Sequence, residues 1–110
     1  MCGILGQFRG EGQVDTDAFA QMLATLRNRG PDGEGSEVLD GGRVALGHTR
    51  LAIIDLSDAA RQPLPNEDQT VWAVVNGEIY NYRELTRSLA DRHRFRTNSD
   101  TEVIVHLYED

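Results

Sequence analysis

The stretch Arg43–Leu56, RVALGHTRLAIIDL, decides how this chain must be layered. It is the longest strand-like run, rich in apolar residues, and Gly47 marks a bulge or bend within it. Upstream, Cys2–Phe8 (CGILGQF) reads as a short buried strand closed by the turn-rich RGEGQ that follows. From Asp15 the pattern changes period. Phe19, Met22, Leu23 and Leu26 recur at i, i+3, i+4 and i+7, the stripe of a helix that Asp15 or Thr16 can cap. Gly30 and Pro31 stop that helix, and NRGPDGEGS (residues 28–36) reads as a loop.

Downstream of the long strand, DAARQPLPNEDQ (58–69) is a polar loop marked by proline. TVWAVVNG (70–77) is apolar on successive residues, the signature of a strand covered on both faces. EIYNYRELTRSLADRH (78–93) turns into a helix, with Asn81 as cap and Glu84 three residues on. A short strand, RFRT (94–97), precedes NSDTEVIVHLYED (98–110). There Ser99 and Glu102 make a second capping-box pattern ahead of Val103, Ile104, Leu107 and Tyr108. Antiparallel-style strands with helices between them indicate an α+β layered fold. The final helix carries no stop signal, so residues 1–110 read as one domain, truncated at its C-terminal end.

The bulk composition narrows the function. With 11 basic and 18 acidic residues the formal net charge is −7, which repels phosphate backbones and excludes nucleic acid as a partner. A zwitterionic small substrate remains compatible. One cysteine cannot form an internal disulfide, and neither a leader nor a membrane span is visible, so a cytoplasmic protein with no membrane partner is expected.

That one cysteine stands directly behind the start methionine. Once Met1 is removed, Cys2 carries a free α-amine beside its sulfur, and the two have reference pKa values near ~8.5 and ~8, close enough to exchange a proton. This is either a nucleophile packaged with its base or a small buried hydrophobe. Asn76-Gly77 is a hairpin turn signal. It is equally a side-chain amide and a glycine N–H that can form an oxyanion hole. Arg50 is a snorkelling surface cation or an inward fork for a carboxylate. Asp100 complements a helix dipole or balances an ammonium group. Arg50 and Asp100 together would grip both ends of an α-amino acid. His48 lies two residues before Arg50, on the same strand face, but no orienting Asn or Asp stands at a recognisable spacing for a Cys–His pair. His93 and His106 fall in helical segments with no matching partner, so no metal site is expected.

MCGILG, RGPDG, LGHTRLAIIDLS, QPL, VVNGEIYNYREL and SDTEVI stand in the order and spacing of the class II glutamine amidotransferase domain, a branch of the N-terminal-nucleophile hydrolases. The chain most resembles the glutaminase domain of glutamine-hydrolysing asparagine synthetases, from Met1 to Asp110. The resemblance implies a four-layer αββα sandwich, two antiparallel sheets between helix layers, of which this chain covers the first part. It implies Cys2 as nucleophile and Asn76 with Gly77 as oxyanion hole. Arg50 would hold the glutamine α-carboxylate and Asp100, assisted by Glu78, its α-ammonium. The backbone of Leu51, Ala52, Ile53 and Ile54 would line the pocket. Glutamine, a C-terminal synthetase domain and, as an option, a second copy of the chain are the implied partners. No cofactor is implied in this domain; ATP and magnesium belong to the synthetase domain, where the ammonia would convert aspartate to asparagine.

Overall fold

The computed structural model describes residues 2–51 and 60–110. Among these residues, two antiparallel sheets and three α-helices make an α+β fold. The first sheet has the order β1 (Gly3–Phe8), β3 (Val44–Arg50), β2 (Gly33–Leu39), so the long sequence run supplies its central strand. Its register runs Gly3 opposite Thr49 to Phe8 opposite Val44, and Gly33 opposite Arg50 to Leu39 opposite Val44. The β2–β3 hairpin turns through Asp40–Gly42, all three at positive φ.

Helix α1 (Thr16–Ala24) starts where Asp15 Oδ1 accepts from the N–H groups of Asp17 and Ala18, both at 3.1 Å. Of its apolar stripe, Phe19 and Leu23 are buried on the sheet and Met22 is exposed. Phe19 packs with Val14, Ala45 and Leu5. Residues 60–110 form a second unit of packing. A two-stranded sheet, β4 (Leu64–Pro65) with β5 (Trp72–Ala73), lies against α3 (Glu102–Glu109), which also packs on α2 (Tyr82–Leu89). Ala60, Leu64, Leu89, Val103 and Val105 are its buried apolar residues.

Several local expectations change. The NRGPDGEGS loop ends early, because β2 begins at Gly33 inside it. Glycine is required there for approach and not for a turn: a Cβ on Gly35 would lie 2.1 Å from the Gln62 carbonyl oxygen. Gly47 introduces no bulge, since the ladder runs unbroken through it on both sides. Its hydrogen leaves room for Leu23 and Phe19, which a Cβ would meet at 2.9 and 3.1 Å. The TVWAVVNG strand shrinks to Trp72–Ala73. Segment 94–97 is not a strand, because the N–H groups of Arg96 and Thr97 bond to the Glu102 carboxylate instead of a ladder. Glu102 is therefore committed to that segment and does not close a capping box with Ser99. Asn81 precedes α2 without a side-chain cap bond.

Candidate active site

Cys2 enters the site on the first residue before β1. Its sulfur faces Leu51, whose N–H approaches Sγ at 3.4 Å and whose carbonyl lies 3.8 Å away. Two neighbours hold the backbone around it. Thr49 Oγ1 accepts from the Gly3 N–H at 3.1 Å and donates to the Leu26 carbonyl at 2.9 Å. Arg29 Nε donates to the Cys2 carbonyl at 3.2 Å. The RGPDG segment thus has a defined place beside the cysteine. Its Gly30 presses on the Thr49–Arg50 backbone, where a Cβ would come within 2.3 Å, and the Asp32 N–H donates to the Arg50 carbonyl at 2.8 Å.

Arg50 ends β3, and strand alternation puts it on the face of His48, away from Thr49. Across from them run the segment 75–80 and the start of the turn into α3. Asp100 is buried there, and its Oδ2 accepts the Ile79 N–H at 2.7 Å, fastening the 76–80 segment to the approach of α3. Between these walls lies a cavity of about 320 Å³, lined by Cys2, Arg50, Leu51, Asn76, Gly77, Glu78 and Asp100 among others. Every described candidate from the sequence borders this one space. Ala52, Ile53 and Ile54 lie outside the described residues. Asn76, Gly77 and Glu78 are exposed at the mouth, and no atom lies within 4 Å of where a Gly77 Cβ would stand. Hence the glycine leaves its N–H approachable from the cavity side. The hairpin alternative for Asn76-Gly77 fails among the described residues, since no strand pairs across it.

A matching family model describes a glutamine amidotransferase domain over residues 1–110. The chain belongs to that family. It is 46% identical over 112 residues to glutamine-hydrolyzing asparagine synthetase 1 of Arabidopsis thaliana, a match covering all of this chain and 18% of the relative. The same identity and coverage hold for glutamine-hydrolyzing asparagine synthetase of Asparagus officinalis. Amidase chry2 of Gibberella zeae is 40% identical over 100 residues, 91% of this chain and 15% of the relative. The chain spans less than a fifth of the length of these relatives.

Two residues of this glutamine amidotransferase domain support the site without having been assigned a role from sequence. Gln62 Oε1 accepts the Val75 N–H at 2.6 Å, and His48 Nε2 donates to the Val75 carbonyl at 3.1 Å. Val75 is held from both sides immediately before Asn76-Gly77. His48 is 1% exposed, and burial lowers its pKa below the ordinary imidazole value, so it stays neutral near pH 7. Gln62 was visible only as part of the QPL motif, because its partner lies 13 residues away in sequence.

Proposed function

We propose that this chain is the glutaminase half of an asparagine-synthetase-like amidotransferase. The observation that carries the reading is the meeting of Cys2, Arg50, Asn76-Gly77 and Asp100, from four separate segments, around one cavity. The names of the relatives support glutamine as substrate.

With Met1 removed, the Cys2 thiol passes its proton to its own α-amine, and the sulfur attacks the glutamine side-chain carbonyl carbon. The charge that develops on the carbonyl oxygen is met by the Asn76 amide and the Gly77 N–H, preplaced donors of a kind each worth on the order of a hundredfold in rate. The ammonium returns its proton to the departing nitrogen, the C–N bond breaks, and ammonia leaves a γ-glutamyl thioester. Water then attacks the thioester carbon, the amine takes the water's proton, and glutamate departs as the C–S bond breaks. Arg50 receives the α-carboxylate; Asp100, with Glu78, receives the α-ammonium. This selects free glutamine, because other amides leave those charges unpaired. Thiol and amine supply all the proton and electron-pair chemistry, so the step calls for no cofactor.

The ammonia would pass to a synthetase domain using ATP and magnesium to amidate aspartate, in the cytoplasm, with a second copy of the chain as a further partner. Among the described residues no helix is long and apolar enough to cross a membrane. The likeness to Amidase chry2 favours a sibling reading, the same cysteine chemistry on a different amide.

Glutaminase assay of Cys2→Ala against the parent protein tests the proposal. Glutamate release should disappear, and a form retaining Met1 should be equally inactive. Hydrolysis by either protein would reject the mechanism, and preference for another amide over free glutamine would select the sibling reading.

A further inference from the structure

Against α3, four side chains from three separate segments converge. One ring nitrogen each from His93 and His106 and one carboxylate oxygen each from Glu67 and Glu109 all lie within 4.8 Å of one another. His93 and His106, expected to stand apart on helices, are neighbours with ring centroids 4.8 Å apart, and His93 lies outside α2. We propose that Glu67, His93, His106 and Glu109 bind one divalent transition-metal ion, with zinc the best match.

The decisive feature is what the other ring nitrogens do. His106 Nε2 lies 3.0 Å from Glu102 Oε2, and His93 Nε2 lies 2.6 Å from Asp110 Oδ1. In a neutral ring, a carboxylate at Nε2 accepts the proton of that nitrogen, and Nδ1 turns its lone pair inward, where an ion can be bound. Such carboxylate–histidine pairs are the outer support that metal-bound imidazoles carry.

Glu102 cannot turn away to relieve the arrangement. Its carboxylate is held by the N–H groups of Arg96 and Thr97, both at 2.9 Å, and by Thr97 Oγ1 at 2.6 Å. The inward nitrogens meet further acceptors. His106 Nδ1 stands 3.1 Å from Glu67 Oε1, and His93 Nδ1 stands 3.0 Å from Glu67 Oε2 and 3.9 Å from Glu109 Oε2. Either a second ring proton or a metal ion in its place satisfies such a contact. His106 is 1% exposed, and its Nδ1 is buried without a hydrogen-bond partner.

A metal ion would give His106 Nδ1 the partner it lacks. These separations, 3.0 to 3.9 Å, bracket the edge of a zinc tetrahedron, about 3.3 Å for bonds of about 2.0–2.1 Å. Two imidazoles with two carboxylates suit zinc over magnesium, which takes oxygen and water ligands. Glu102, His106 and Glu109 recur at i, i+4 and i+7 on one face of α3, so a single helix supplies two ligands and one outer support. Glu109 is steadied by Asn66 Nδ2 at 2.8 Å. Glu67 and Glu109 are exposed enough to admit an ion from solvent. The site shares no residue with the cavity at Cys2, and four protein ligands leave no open position, so the ion would be structural. It would clamp the far end of α3 to the 66–67 and 93–94 segments, steadying the helix whose approach carries Asp100.

Calorimetric titration of the full, tag-free, chelator-treated chain with zinc and with magnesium tests this, in a Cys2→Ser background so that the cleft thiol takes no metal. One equivalent of zinc should bind, raise the melting temperature, and do both better than magnesium. Cobalt in its place should give the visible bands of a tetrahedral N/O site. His93→Gln and Glu67→Gln, at the partly open side, should each weaken zinc binding at least tenfold. If either variant fails to fold, the stoichiometry and cobalt spectrum of the parent decide alone. Absence of saturable one-to-one zinc binding would overturn the proposal and leave a protonated histidine–carboxylate cluster. Magnesium binding as tightly, or zinc binding unchanged in both folded variants, would overturn it too.

Discussion

On the proposed function Asp100 has two partners, the Ile79 N–H and the substrate ammonium, and one substitution separates them. Its carboxylate accepts the Ile79 N–H, a bond that an amide oxygen can also accept, whereas pairing with an ammonium needs the negative charge. Asp100→Asn should therefore keep the 76–80 segment in place and raise KM for glutamine about tenfold or more, with kcat nearly unchanged. An unchanged KM in steady-state assays would remove Asp100 from substrate binding. His48 gives a different signal. Its folded pKa lies below that of the unfolded chain, so the unfolded chain takes up the proton first as pH falls through about 6.5. Stability drawn from the neutral ring is thus complete above that pH. It declines as pH falls from there through the lowered folded value. His48→Gln should flatten this part of the dependence, and identical melting curves against pH for the two proteins would show that His48 does not titrate this way.

Strand β2 is where an element reaches into the site without touching substrate. Gly35 lets the strand lie against the Gln62 carbonyl, and the same Gln62 holds Val75 ahead of the proposed oxyanion donors. Gly35→Ala forces a Cβ into backbone, so the strand or residue 62 must shift. The expected cost is about 1–3 kcal/mol in stability, with a fall in kcat because Val75 loses its anchor. Exposed Ser36→Ala, one residue along, should change neither. Thermal melting and glutaminase rates on both variants check this, and a Gly35→Ala protein with parental kcat would disconnect β2 from the site. The glycines of residues 30–35 read from sequence as a loop, because glycine signals turns and close approach alike. Only the identity of the opposing atom separates the two.

Across the whole molecule the first sheet is covered unequally. Helix α1 seals one face with Phe19 and Leu23, whereas Ile4 and Phe8, which project from the other, remain 49% and 66% exposed. Leu23→Ala should cost about 2–5 kcal/mol. Phe8→Thr should change stability by no more than about 0.5 kcal/mol. Denaturant unfolding of the two variants separates the faces, and a large loss from Phe8→Thr would mean that its ring is packed in solution. The cavity at Cys2 lies between this sheet and the second unit of packing, so its shape depends on both.

Local chemistry in the chain was sufficient for the central strand, the three helices and the candidate site residues. Apolar periodicity reports which face an element buries, and a nucleophile, an amide-glycine pair and opposite charges are recognisable wherever they stand. The start of β2, the loss of the 94–97 strand, the double hold on Val75 and the convergence of His93 with His106 were settled only by folding. Each turns on a partner from a distant segment. A buried polar group bonds to whatever atom the fold brings opposite it, and nothing in its own sequence neighbourhood states which atom that is.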